Sequence, residues 1–187
     1  MRIIEGDKML FLVCGGAGSG KSSFSEDLVL SLHKSLCGDR KIYIATMQNN
    51  DCETDKKISI HRQNRKGKSF HTLEQPFNIS SLCDKITKND ICLLECLSNL
   101  LANEMYKDIL APYEKDSLSD RIFAELMELE KASRAVVVVS NDVFRDGVSF
   151  EEYNYELGRL NCLLAQKAEE TFEVASGIAI RHKIALI

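Results

Sequence analysis

Met9-Leu10-Phe11-Leu12-Val13-Cys14-Gly15-Gly16-Ala17-Gly18-Ser19-Gly20-Lys21-Ser22 decides the fold. An apolar run of strand length ends in a glycine-rich turn, and Lys21-Ser22 opens a segment with helical spacing. Gly15 to Ser22 fit G-x-x-x-x-G-K-S, the phosphate loop, in its required place between a strand and a helix. Glycines let successive backbone N–H groups turn inward around phosphate oxygens. The first turn of the following helix adds unpaired N–H groups and the positive end of its dipole. Lys21 has the length to reach the outer phosphates, and the Ser22 hydroxyl is a Mg²⁺ ligand of the expected kind.

Outward from that loop the chain alternates. Phe24, Leu28, Leu32 and Leu36 recur at helical spacing until Cys37-Gly38-Asp39. Lys41 to Thr46 reads as a second strand, and Asp51 to Arg65 as a charged exposed helix or loop. Phe70 to Glu74 reads as a short strand stopped before Pro76, and Ile79, Leu82, Cys83 and Ile86 as a small amphipathic helix. Ile91 to Glu95 is an apolar run ending in a carboxylate, followed by a helix over Leu97 to Leu110. Ser117 or Ser119 caps a helix carrying Ile122, Leu126 and Leu129. Ala135 to Val139 has the β-branched content of a strand buried on both faces. Ser140 to Phe150 is expected as a loop, Glu151 to Thr171 as a long helix, and 172–187 as one or two closing strands. The alternation predicts one α/β domain over 1–187, a P-loop NTPase-like (RecA-like) largely parallel sheet flanked by helices. Ligands of such sheets bind beyond the carboxyl ends of the strands, which puts Gly15–Ser22, Thr46, Glu95 and Ser140-Asn141 on one rim.

Composition narrows the function. A net charge of −4 leaves no basic footprint for nucleic acid. Seven cysteines, an odd number without C-x-x-C spacing, read as thiols of a reducing compartment. No apolar run has the length of a membrane span, and Met1–Lys8 is too short and polar for a signal peptide. The expected location is the cytoplasm.

Two places invite chemistry. Glu95 ends its strand where a carboxylate holds Mg²⁺ in phosphate-loop enzymes; the alternative is a cap on the helix that follows. Ile60-His61-Arg62-Gln63-Asn64-Arg65 sets an imidazole beside two arginines. Arginines grip phosphate oxygens bidentately, and a neutral imidazole serves as nucleophile or general base. The alternative for His61 is a solvated surface residue. His33, His71 and His182 carry no such context, and Tyr153 and Tyr155 read as core or interface aromatics.

These stretches together resemble the bifunctional adenosylcobinamide kinase/adenosylcobinamide-phosphate guanylyltransferase family of cobalamin biosynthesis. The resemblance is carried by Gly15–Ser22, Tyr43-Ile44-Ala45-Thr46, Ile58-Ser59-Ile60-His61-Arg62 with Arg65, and Thr72-Leu73-Glu74-Gln75-Pro76. Leu93–Leu97, Val139–Val143, Gly158-Arg159-Leu160-Asn161 and Ser176-Gly177-Ile178 extend it over nearly the whole chain. It implies phosphorylation of the adenosylcobinamide hydroxyl by ATP or GTP, then transfer of GMP from GTP onto that phosphate. It further implies that His61 carries GMP covalently, and that Gly15, Gly16, Ala17, Gly18, Ser19, Gly20, Lys21 and Ser22 hold the nucleotide. Ala45, Thr46, Met47, Arg62, Gln63, Asn64, Arg65, Glu74 and Glu95 would add contacts, with Ser22 and Glu95 on Mg²⁺. A homotrimer is the implied assembly. Gly18 stands where the family usually has arginine, and Phe144-Arg145-Asp146-Gly147 replaces a more glycine-rich loop. Two other functions fit the loop alone: a kinase of another small alcohol, and a GTP-binding regulatory module without turnover.

Overall fold

Four short runs, β1 (Met9–Gly15), β2 (Lys41–Ala45), β4 (Ile91–Glu95) and β5 (Ala135–Asn141), form the parallel centre of a seven-stranded sheet. The computed structural model describes residues 8–48, 67–107, 117–142 and 151–182. Within these, the strand order is β3-β2-β4-β5-β1-β6-β7. β3 (Phe70–Glu74) pairs parallel to β2, and β6 (Glu170–Ala175) parallel to β1. β7 (Ile178–His182) returns antiparallel along β6 and closes one edge.

The alternation of side chains across the pleat splits the core in two. Leu10, Leu12, Ile42, Ile44, Leu94, Val136 and Val138 pack on one face, against α2 (Leu97–Tyr106), α3 (Leu118–Ala132) and α4 (Glu151–Lys167). Phe11, Val13, Tyr43, Leu93, Val137 and Val139 pack on the other, where α1 (Lys21–Ser35) supplies Val29 and Leu32. Val136 to Val139 are fully buried. Each such side chain is worth about 1.5–3 kcal/mol on burial, which outweighs any local preference of the residues that follow. Ser140 and Asn141, expected in a loop, therefore continue β5, in register with Cys14 and Gly15.

Other departures are local. The small helix expected around Ile79 to Ile86 is a 3₁₀ helix over Ile79–Lys85. Helix α4 stops at Lys167, four residues before the expected end. Ala168 N–H still donates to the Leu164 carbonyl at 2.8 Å, but Glu169 N–H donates to Leu10 O at 2.8 Å, delivering the chain beside β1 as strand. Thr171, expected in the helix, is in β6. Ser117 occupies the N-cap position of α3, yet its hydroxyl is engaged by Ser119, Glu156 and Arg159 instead of the helix backbone. Helix α2 spans Leu97–Tyr106, and residues 108–110 of the expected helix lie outside the described residues.

The rim at the amino ends of the central strands is tied by Arg40 and Asp90. Arg40 donates to the fully buried Asp90 carboxylate through Nε (2.9 Å) and Nη2 (2.5 Å), and Thr87 N–H adds a third bond at 2.7 Å. Burial by itself would push the Asp90 carboxyl up; the Arg40 and Thr87 hydrogen bonds outweigh it and hold the group below its ordinary value. No helix among the described residues is long and apolar enough to cross a membrane.

Candidate active site

The carboxyl ends of β1, β2, β4 and β5 meet on the opposite rim. Register places Gly15 beside Asn141, and sets Glu74, Ala45 and Glu95 in one row. The segments expected to share this rim do share it.

Gly15 to Gly20 leave the end of β1 as a tight turn, with Ser19 N–H donating to Gly16 O at 3.2 Å. Gly20, at φ +93°, is the N-cap residue of α1, and no side chain among the described residues caps that helix. A residue with a Cβ would be strained there; it would also stand 3.3 Å from Gly177 Cα in the β6–β7 turn. Gly177 N–H donates to Ser19 O at 2.8 Å, so the hairpin tip props the loop from below. The amides at the start of α1 lack helical partners by geometry and form the anion-binding end. Lys21 is buried, its Nζ donating to Gly16 O at 2.9 Å. An ammonium held on the loop's own carbonyl is poised to exchange that partner for phosphate oxygen.

Glu95 meets the loop directly. The Ser22 hydroxyl donates to Glu95 Oε1. The second carboxylate oxygen, Oε2, is buried and has no hydrogen-bond partner among the described residues. A buried carboxylate oxygen without a donor is a costly arrangement unless something cationic belongs beside it. The alternative reading of Glu95 as a cap is not what the geometry displays: the N-cap position of α2 is Cys96, without a side-chain cap among the described residues. Oxygen donors from Ser22 and Glu95 suit a hard divalent cation.

Behind Glu95 stands a polar brace. Thr46 is fully buried, and its Oγ1 accepts from Cys96 N–H at 2.7 Å and donates to Cys96 O at 2.8 Å. Thr46 N–H donates to Glu95 O at 3.1 Å. Asn103 of α2 donates from Nδ2 to Thr46 O (2.7 Å) and Pro76 O (3.0 Å), joining the exits of β2 and β3. Asn141 donates to Ser98 Oγ at 2.7 Å, and the Tyr153 hydroxyl to Ser98 O at 3.1 Å. Tyr153 is thus a partly buried structural aromatic, as expected, while Tyr155 is exposed. Sequence reasoning passed over Asn103; an amide in a helix carries no signal until the strand exits it bridges are known.

A cavity of about 270 Å³ opens beside the loop, between α4 and strands β1, β6 and β7. Cys14 lines it, with its thiol pushed up to about 12 by burial and then by Asp142 and Glu173. That thiol stays protonated and is no nucleophile at neutral pH. His182 also lines it, 3.4 Å from Glu173. His71 is exposed on β3, and His33 lies in the last turn of α1, away from the loop.

The structure therefore brings together Gly15–Ser22, Ala45, Thr46 and Glu95, with Glu74 exposed at the end of the same row and Met47 half-buried just beyond it. His61, Arg62, Gln63, Asn64 and Arg65 lie outside the described residues, as do the charged segment before them and residues 144–147.

Comparison with known proteins addresses the chain as a whole. A family model described as cobinamide kinase / cobinamide phosphate guanyltransferase matches residues 11–182. The bifunctional adenosylcobalamin biosynthesis protein CobU of Escherichia coli (strain K12) is 33% identical over 193 residues, covering 94% of this chain and 100% of that protein. Its namesake in Salmonella typhimurium is 29% identical over 191 residues, with the same coverage. CobP of Pseudomonas aeruginosa is 32% identical over 170 residues, 88% of this chain and 92% of its own. Among solved structures, an ATPase domain superposes with a TM-score of 0.51 over 89% of this chain and 69% of that one, at 13% identity. That likeness speaks for the P-loop ATPase fold alone. From a family model spanning the phosphate loop, Glu95 and the closing hairpin, and from relatives matched along their whole length, the chain belongs to the cobinamide kinase / cobinamide phosphate guanyltransferase family.

Proposed function

We propose that this protein phosphorylates the aminopropanol hydroxyl of adenosylcobinamide with ATP or GTP and then transfers GMP from GTP onto the new phosphate. Family membership supports the pair of reactions. The observation that carries the reading to this chain is the Ser22–Glu95 contact at the mouth of the phosphate loop, with Glu95 Oε2 buried and unpartnered among the described residues. These two residues would hold Mg²⁺, which when bound supplies positive charge against the phosphate oxygens.

The chain's own groups divide the remaining work. Backbone amides of Gly15–Gly20 and the Lys21 ammonium bind the triphosphate and stabilise charge that gathers as the leaving group departs. In the second reaction His61 attacks the α-phosphorus of GTP through a ring nitrogen; a P–N bond forms, the α–β bridging P–O bond breaks, and pyrophosphate leaves. A phosphate oxygen of the corrinoid then attacks the same phosphorus. The P–N bond breaks, giving adenosylcobinamide-GDP and free imidazole. Arg62 and Arg65 neutralise phosphate charge, and Ala45, Thr46, Met47, Gln63, Asn64 and Glu74 contribute nucleotide contacts. A cytoplasmic location, from the thiol-type cysteine usage, and a homotrimer, by resemblance to the family, complete the proposal.

Incubation with GTP, Mg²⁺ and adenosylcobinamide, followed by mass analysis of protein and corrinoid, tests it. The expected products are phosphorylated and GDP-bearing corrinoid and an acid-labile GMP adduct on the protein that is absent from His61→Ala. Equal labelling of His61→Ala by α-labelled GTP would remove the assigned nucleophile. An unmodified corrinoid would remove the function. Light scattering of the active protein reads the assembly.

A further inference from the structure

We propose that Asn103 is a positioning residue for the nucleoside half of the bound nucleotide. The inference rests on the nucleotide contacts proposed above for Ala45, Thr46, Met47 and Glu74, and gives a task to a residue that has none there. Asn103 acts through the backbone that carries those contacts.

The contacts come from two neighbouring strands. Pairing holds β2 and β3 together as far as Ala45 and Glu74, with Gln75 N–H donating to Ala45 O at 2.8 Å. There the two chains part. Thr46 N–H turns to Glu95 O on β4 (3.1 Å), and Pro76 has no N–H with which to continue the ladder. Asn103 takes over from the ladder. Its Nδ2 donates to Thr46 O at 2.7 Å on the β2 side and to Pro76 O at 3.0 Å on the β3 side. A side-chain amide carries two N–H donors, so each carbonyl receives its own. The next residue, Glu104, accepts from Asn78 N–H at 2.6 Å, so successive positions of α2 grip the β3 exit. Because α2 begins directly after Cys96, the same helix sets both strand exits against Glu95.

The strand order decides which half of the nucleotide these exits serve. The phosphate loop leaves β1, on one side of Glu95, and the exits of β2 and β3 lie on the other. At a strand spacing of about 4.8 Å, the end of β3 stands roughly 10 Å from β4 and roughly 20 Å from β1 across the row. At that remove the two exits meet base and ribose, while the triphosphate stays in the loop. A change at Asn103 therefore shifts the nucleoside contacts and leaves the phosphate cradle in place.

Binding of GDP and of inorganic tripolyphosphate, each with Mg²⁺, separates the two halves, since tripolyphosphate fills the cradle and carries no nucleoside. Asn103→Ala removes the amide. Asn103→Asp keeps its outline but sets an acceptor against two carbonyls. Calorimetry at a temperature where each variant is folded should find GDP bound roughly 3- to 10-fold more weakly by Asn103→Ala, the worth of one hydrogen bond, and at least as weakly by Asn103→Asp. Tripolyphosphate binding and the KM for adenosylcobinamide should stay at parental values. Asn103→Gln, which keeps the donor, should recover part of the GDP affinity. Parental GDP binding in either Asn103→Ala or Asn103→Asp overturns the role. So does an equal weakening of GDP and tripolyphosphate, which marks a general loosening of the site. A parent that binds GDP yet leaves adenosylcobinamide unmodified refutes the proposed function and not the part given to Asn103, and that result is seen before any variant is made.

Discussion

Thr46→Val removes one hydroxyl from the brace behind Glu95 and has calculable consequences. The side chain keeps its shape and full burial, so no cavity opens. Both hydrogen bonds to Cys96 disappear, the one from its N–H (2.7 Å) and the one to its carbonyl (2.8 Å). Each buried group left without a partner costs about 1–3 kcal/mol. The two lie on one residue that relaxes as a unit, so the expected loss is about 2–4 kcal/mol. For a domain of this size that lowers Tm by about 5–15 °C. Glu95 immediately precedes Cys96, so the loosened segment also frees its carboxylate from Ser22, and turnover should fall more steeply than stability. Urea denaturation followed by circular dichroism measures the first effect, and phosphorylation of adenosylcobinamide at a temperature where the variant is folded measures the second. Thr46→Ser restores the hydroxyl and should recover most of both. A Thr46→Val protein within about 0.5 kcal/mol of the parent, the ordinary spread of an inconsequential substitution, and with parental turnover would refute the idea that this hydroxyl organises the strand exit.

Glu95→Gln keeps volume but removes the charge opposite Ser22. Steady-state kinetics should find kcat lowered roughly 10²–10³-fold and the Mg²⁺ requirement moved to higher concentration, with the fold intact by circular dichroism. Gly15→Ala would set a methyl 2.5 Å from the Val174 carbonyl and 2.6 Å from Ser19 Oγ. The backbone oxygen cannot swing aside, so the β1–β6 pairing should yield, at a cost of about 1–3 kcal/mol by thermal denaturation. Asp90 has its folded pKa held below the ordinary carboxylate value of about 3.9. The stability it contributes is present above that value and is lost as pH falls through the lower folded one. Denaturation at a series of acid pH values should show Asp90→Asn less stable than the parent near neutrality but flatter below about pH 4. Buried Cys92, its thiol pushed up to about 12 chiefly by burial, should resist thiol reagents at pH 8 that label exposed Cys37 and Cys162.

The parts of the fold legible from sequence are those where local pattern and tertiary demand agree. Met9–Val13 and Val136–Val139 are apolar on both faces because the strands they form are covered on both faces. Glu95 was legible because a lone carboxylate at the end of such a run is out of place unless the strand end carries chemistry. Where neighbours decide, the pattern misleads. Ser140-Asn141 are turn formers, yet pairing with Cys14-Gly15 keeps them extended. Ala165 to Glu169 favour helix, but the Leu10 carbonyl captures Glu169 N–H and starts a strand. The cavity was invisible for another reason. Asn161, Thr171 and His182 come from three elements, and nothing in their local sequence says that α4 and the β6–β7 hairpin enclose a common space. At Gly15–Ser22 the motif lies where the sequence set it, between the end of β1 and the start of α1.

The Ser176-Gly177 tip is joined to the phosphate loop by the bond from Gly177 N–H to Ser19 O. Hairpin tips are the places where engineers ordinarily graft epitopes, open a chain for circular permutation or attach a fluorophore. In this protein a graft at 176–177 would pull on the nucleotide cradle from outside. A dye attached at position 178 on the exposed neighbouring strand, by contrast, would sit beside that joint without interrupting it.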